Sequence, residues 1–408
     1  MLNWANQFNI CALLDNHQYN FSHHSIECLL AVDPVNTFEA EENATDGLKA
    51  FLSNNDDWLF GHVAYDFKNH LSKTGSLHVD RIGFPDAFFF QPETVIQLRN
   101  DEAIISCLKN NPVMIFQEIR DRKVEIPNSR SQALKMEARI TKDSYLSIIN
   151  QLKQHILRGD CYEINFCQEF FSENVIIDAL LVYGQLSSLS PSPFSCYYKL
   201  IDKYLLCASP ERYLKKTGNQ IISQPIKGTS KRNNTDEIQD SLLKTQLNFS
   251  PKDRSENVMV VDLVRNDLSK VCKEGTVKVD ELFGIYSFPQ VHQMISTISG
   301  ELDTAIDLVD VLKATFPMGS MTGAPKKRVI ELIEQYEQTK RGIYSGCVGY
   351  ITPEKDYDFN VVIRSIMYNQ ATNYLSYQVG GGITFYSDAE KEYEECLLKA
   401  DAIKTILQ

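Results

Sequence analysis

Along the first 125 residues the hydrophobic positions come in short runs broken by Asn, Asp, Gly and Pro. Runs at 58–65, 87–98, 103–108 and 113–118 predict strands, and the region reads as β-rich. The polar, proline-containing stretch 121–131 is the best candidate linker, separating a region 1–125 from a region 135–408 that together form one compact unit. From Thr141 the pattern changes. Thr141-Lys142-Asp143-Ser144 opens an amphipathic helix to Leu157, stopped at Gly159, and a strand follows over 161–171. Strands at 204–214 and 220–226 flank the turn Thr217-Gly218-Asn219-Gln220. Ser250-Pro251 starts a helix running to about Lys270, with a capping hydroxyl and proline at the first position. Strands at 275–282 and 291–298 come next, then a helix after 319–325 with Val329, Ile330, Leu332, Ile333 and Tyr336 on one side. Strands at 346–352, 359–368 and 374–379 precede the triple glycine 380–382. The last helix begins at Ser387, its capping box completed by Glu390. Strands interspersed with helices argue an α+β fold.

Composition changes this picture little. With 43% hydrophobic and 23% charged residues, 408 residues can bury a large core, and a net charge of −12 opposes general binding to nucleic acid or to an anionic membrane. Ten cysteines are scattered without a CxxC pair or a zinc-like quartet, so they read as buried, reduced thiols of a cytoplasmic protein. Residues 1–15 lack the basic start and sustained apolar run of a signal peptide, and no run reaches the ~18 apolar residues of a membrane span.

Chemistry concentrates at one hairpin. Residues facing each other across the 217–220 turn have numbers summing near 437, which sets Glu211 within one register step of Lys227. A cross-strand salt bridge is one reading of that pair. The other is an acid and a nucleophile over one cavity: Pro225 removes a ladder donor and Gly228 permits a special backbone angle, so the strand should end at Lys227 and release it into a loop with Thr229. Glu256 heads the apolar face of its helix, and Glu392 and Glu395 border the apolar stripe of the last one. These three carboxylates suit Mg²⁺, unless they are simply solvated. The Gly319-Ser320-Met321-Thr322-Gly323-Ala324-Pro325 stretch is either an anion cradle at a helix start or an ordinary entry turn. Gly380-Gly381-Gly382 allows close approach of a ligand or marks a bulge. Arg364, in an apolar run, needs an anion, either a substrate carboxylate or an internal Asp or Glu.

Taken together, Gly159-Asp160-Cys161-Tyr162-Glu163-Ile164-Asn165, Ser209-Pro210-Glu211-Arg212, Pro225-Ile226-Lys227-Gly228-Thr229, 256–267, 316–326, 341–350 and the Glu392/Glu395 helix resemble the chorismate-utilising enzymes, over about residues 140–408. That family includes the anthranilate, aminodeoxychorismate, isochorismate and salicylate synthases. The resemblance implies antiparallel sheets packed as a sandwich with helices outside, and chorismate as substrate. It implies Mg²⁺ held by Glu256 and Glu395, with Glu392 nearby, against the ring carboxylate. Tyr344, Arg364 and the backbone near Gly381 and Gly382 would hold the enolpyruvyl group and its carboxylate. Thr229 and the Gly323 turn would line the ring side, and Glu211 would protonate the departing 4-hydroxyl. In the family's anthranilate synthases an alanine stands in the Lys227 motif. The lysine-bearing branch, aminodeoxychorismate synthase component I, is thought to attack C2 with that amine so that ammonia can displace it at C4. The implied product is 4-amino-4-deoxychorismate, toward 4-aminobenzoate and folate. Lys227 must then be neutral when it attacks, its pKa lowered by burial or a nearby cation, while Glu211 keeps its proton. No Gly-x-Cys-x-Gly nucleophile turn is present, so ammonia is expected from a separate glutamine amidotransferase subunit. The alternatives are anthranilate synthase, a pyridoxal-phosphate enzyme using Lys227, and a non-catalytic chorismate or amino-acid sensor. Glu163 departs from the glutamine of many relatives, and Gln293, after His292, from their histidine.

Overall fold

The computed structural model describes residues 1–19, 23, 26–72, 75–99, 102–122 and 133–408. Every strand pairing among them is antiparallel, and two arms of sheet diverge from the long strand Ala87–Arg99. One arm runs through Cys28–Glu39, Ile10–Asp15, Phe194–Leu200, Lys203–Ser209, Ser365–Asn369 and Tyr374–Ile383 to Glu163–Ser172. The other runs through Leu59–Val63, Cys347–Ile351, Tyr357–Asn360, Arg212–Thr217 and Gln220–Gln224 to Val291–Glu301, which also pairs with Ile226–Lys231 and Lys278–Ser287.

Strand alternation decides what each face buries. In Lys203–Ser209, Leu205 and Cys207 join a core shared with Phe60, Val348, Tyr350, Leu214, Ile221 and Ile298 of the opposite arm. Their neighbours Tyr204, Leu206 and Ala208 face a second core, closed by Val182 and Leu186 of helix Ala179–Leu189 and by Ile403 and Leu407 of helix Asp401–Leu407. The expected sandwich with helices outside is therefore observed. All ten cysteines are free, nine of them buried. Among the described residues no helix is long and apolar enough to cross a membrane. Apart from Asp121 and Arg122, the expected linker 121–131 lies outside the described residues.

Several expected elements differ. The run 113–118 is helical, within Pro112–Asp121, because Asn111 accepts the Val113 N–H and Pro112 occupies the first turn. The run 204–214 breaks at Pro210-Glu211, and 359–368 breaks before Arg364, whose φ is 50°. The glycine triplet lies within a strand, paired residue by residue with Glu163–Ser172. The last helix starts from Asp388, which accepts the Lys391 N–H, and is divided into Ala389–Lys399 and Asp401–Leu407; Ser387 instead accepts from the Thr384 N–H.

Candidate active site

The hairpin register is the one its turn implies: Lys215–Ile222, Lys216–Ile221 and Thr217–Gln220 all sum to 437. A bulge lies between Arg212 and Lys215. Contrary to expectation, the chain does not leave the sheet at Lys227. Ile226–Lys231 is a strand with its own bulge between Ile226 and Thr229, where Gly228 sits at φ +92°. The bulge re-aims Lys227 into a cavity between the two arms of sheet, lined also by Glu211, Glu256, Gln293 and Arg364.

Lys227, Glu211, Thr229, Tyr344, Arg364, Gly382, Glu256 and Glu395 all line this cavity. Gly381, Gly323 and Glu392 do not. Gly381 faces the carboxylate cluster, since a Cβ there would lie 3.5 Å from Glu392 Oε2 and 3.7 Å from Lys399 Nζ. Gly323 pairs with Ile164 so closely that a Cβ would lie 2.1 Å from the Glu163 carbonyl oxygen. The 319–325 stretch reaches the cavity through Ser320 and Met321 instead.

The electrostatics divide the charged groups into roles. Burial pushes the Glu211 carboxyl up to about 7, against the opposing influence of the Ser320 hydroxyl, Lys227, the Ile226 N–H and Arg364. A carboxyl so placed holds a proton near neutrality and can donate it. Burial lowers the Arg364 guanidinium to about 10, with Glu211 opposing. Among the described residues Arg364 has no ion pair, so its charge is available to an anion in the cavity.

Lys227 overturns an expectation. Burial depresses its amine as anticipated, but Glu163, Glu256 and Glu211 outweigh that effect and raise the pKa above its ordinary value. That direction favours the ammonium form, which donates a hydrogen bond to Glu163 Oε1, with both partners buried. The backbone of Gly382 makes room for this pair; a Cβ there would lie 2.6 Å from Glu163 Oε1 and 2.8 Å from Lys227 Nζ.

Glu256, Glu392 and Glu395 converge on the Lys252 ammonium, at 3.8, 2.9 and 3.7 Å. Among the described residues no group of three or more His, Cys, Asp or Glu is gathered tightly enough to be a preformed metal centre. The donor chemistry nonetheless fits a hard dication: Glu256 Oε1 is buried without a hydrogen-bond partner, and a cation already lies between the carboxylates. Burial raises Glu256 to about 7, while Lys399 and Lys252, against a burial effect, hold Glu395 down at about 2.

Sequence reasoning missed Lys252, Lys399 and Asn165. Lys252 and Glu256, and Glu395 and Lys399, are i,i+4 pairs, a readable signal that ordinarily marks a solvated helix face. Gln293 lines the cavity with Oε1 unpartnered, whereas His292 faces the other side of its strand, bonded to Ser287 and Asp240.

The chain belongs to the chorismate binding enzyme family, whose profile matches residues 6–405. It is 40% identical over 271 residues to a protein named probable aminodeoxychorismate synthase, chloroplastic, from Oryza sativa, covering 66% of this chain and 30% of that protein. It is 32% identical over 366 residues to aminodeoxychorismate synthase component 1 of Bacillus subtilis, covering 85% of this chain and 76% of the other. The solved anthranilate synthase component I of Streptococcus pneumoniae superposes with a TM-score of 0.80 at 24% identity, covering 96% and 95% of the two chains, which establishes the fold.

Proposed function

We propose that this chain converts chorismate and ammonia to 4-amino-4-deoxychorismate and water, the aminodeoxychorismate synthase component I reaction. The observation that carries the reading is Lys227, an amine aimed into the cavity where Glu211, its carboxyl pushed up to about 7 by burial, also lies. An amine bonding ring C2 shifts the two ring double bonds, and acid-assisted loss of the 4-hydroxyl completes the displacement. Glu211 supplies that proton. Ammonia then bonds C4, the double bonds shift back and Lys227 is released. The names carried by the rice and B. subtilis relatives support this branch over anthranilate synthesis.

Arg364 and Tyr344 hold the enolpyruvyl side of the substrate, and Thr229 lines the ring. Glu256 and Glu395, with Glu392 behind them, would hold Mg²⁺, which when bound neutralises the ring carboxylate and favours electron flow toward it. Lys252 must yield its place among them. Ammonia is supplied by a glutamine amidotransferase partner, a pairing with which the designation component 1 in the B. subtilis relative is consistent.

The test is product identification with chorismate, Mg²⁺ and ammonium, wild type beside Lys227→Ala. Wild type should form 4-amino-4-deoxychorismate. The variant should lose it and turn toward anthranilate, because ammonia then reaches C2. A variant that still aminates C4 refutes the role of Lys227.

A further inference from the structure

The amine that must attack is held as an ammonium, and this conflict locates a missing group. An ammonium that must give up its proton once the substrate covers it needs an acceptor within hydrogen-bond reach. Five other charged groups act on Lys227: Glu211 from the Pro210 corner, Glu256 from helix Pro251–Ser269, Glu395 and Lys399 from helix Ala389–Lys399, and Glu163 from strand Glu163–Ser172. Arg364 acts on Glu211 in turn. Glu211 is the proton donor to the leaving hydroxyl, Glu256 belongs to the cluster around Lys252, and Lys399 is a cation paired with Glu395. Only Glu163, among the described residues, is in hydrogen-bond contact with Lys227 Nζ. Its other oxygen, Oε2, is buried and has no partner, so the carboxyl can become neutral without leaving a cation stranded beside it.

Resting on the reaction proposed above, we infer that Glu163 is the proton acceptor for Lys227, a positioning residue that determines when the amine becomes a nucleophile. One N–H bond of the ammonium breaks and an O–H bond forms on Glu163. The freed lone pair on Nζ bonds ring C2, the two double bonds shift, and the C4–O bond breaks, the hydroxyl leaving as water with the proton of Glu211. When ammonia bonds C4 the shift reverses and the C2–Nζ bond breaks. Glu163 returns its proton to Nζ, and the surplus proton on the new C4 nitrogen goes to Glu211. Both carboxyl groups end as they began. Gly382 is part of the device, since any larger residue would wedge the two partners apart.

The experiment compares wild type, Glu163→Gln and Glu163→Asp for 4-amino-4-deoxychorismate formation between about pH 6.5 and 9.5, with free ammonia held constant. Proton transfer inside a pair does not depend on bulk pH, so the wild-type profile should follow the Glu211 proton alone, falling as pH rises through about 7. Relative to wild type at the same pH, which cancels the Glu211 ionisation both share, Glu163→Gln should be at least tenfold slower near pH 7 and regain about tenfold per pH unit, because the neutral amine then comes only from equilibrium with solvent before chorismate fills the site. Glu163→Asp keeps the acceptor and should restore the wild-type profile at a lower rate. Acid-quenched mixtures without ammonia should show the Lys227 adduct, heavier by chorismate less water, forming with the same pH dependences. A Glu163→Gln enzyme matching wild type in rate and profile overturns the inference; should that variant not fold, a Glu163→Asp rate that climbs relative to wild type as pH rises does so. A wild type that makes anthranilate, or no amine at all, instead brings down the underlying reaction.

Discussion

Glu211 offers a prediction that reads stability and chemistry from one substitution. Its carboxyl lies at about 7 in the fold against an ordinary 4.5, chiefly through burial, so the fold favours the neutral form. Stability from that preference is fully present below pH 4.5 and is lost as pH rises through about 7, where the folded protein must carry a buried charge. A difference of that size corresponds to about 3 kcal/mol. Glu211→Gln keeps the shape but cannot ionise. Relative to wild type it should therefore gain about 3 kcal/mol between pH 4.5 and pH 8.5, whatever its offset at the acidic end. An unfolding entropy of about 2.1 cal/mol/K per residue gives roughly 0.9 kcal/mol/K for a chain this long, so the Tm difference should change by about 3–4 °C. Calorimetry of both proteins at the two pH values reads this directly. Amination should meanwhile fall by about 10²–10⁴-fold, since no proton remains for the 4-hydroxyl. Tm curves that stay parallel across the pH range would refute the argument that burial keeps Glu211 protonated.

Three further substitutions probe the cavity. Gly382→Ala should lower kcat by about 10–100-fold with little change in Tm, because the new methyl displaces the ends of two side chains by a few tenths of an ångström or more; unchanged kinetics would mean the Lys227–Glu163 pair needs no fixed position. Arg364→Ala should raise the chorismate KM by about 10–100-fold and Arg364→Lys by less, measured in steady-state assays, as a charge-assisted contact worth ~1.5–3 kcal/mol is lost. Lys252→Gln should tighten Mg²⁺ binding by about tenfold in calorimetric titration with the metal alone; weaker binding would show that the ammonium is not a competitor among Glu256, Glu392 and Glu395.

Local signals carried much of the fold. Thr141 and Ser250 cap the helices they were expected to open, and the 217–220 turn dictates the hairpin register. The helix Pro112–Asp121 was misread because Val113, Met114 and Phe116 form an apolar run without helical spacing, although Asn111-Pro112 was already a start signal. The site was legible where a single residue type was out of place: a lysine beside a special glycine, a carboxylate on an apolar face, an arginine in an apolar strand. Its wiring was not. Glu163 and Lys227 are 64 residues apart, on strands with no ladder between them, and bond directly in the space left by a glycine on a third strand. No spacing rule links them, so the ammonium state of Lys227 and the partner that sets it needed three-dimensional contacts.

The order in which the strands pair bears on how this chain is made. Ile10–Asp15 lies between Cys28–Glu39 and Phe194–Leu200, and Leu59–Val63 lies between Ala87–Arg99 and Cys347–Ile351. During synthesis, therefore, strands emitted first keep one open edge until partners some 180 or 290 residues later leave the ribosome. Closure of the sheets is a late event that waits on the far half of the polypeptide, and a ribosome stalled midway would leave a nascent chain with uncovered, aggregation-prone edges.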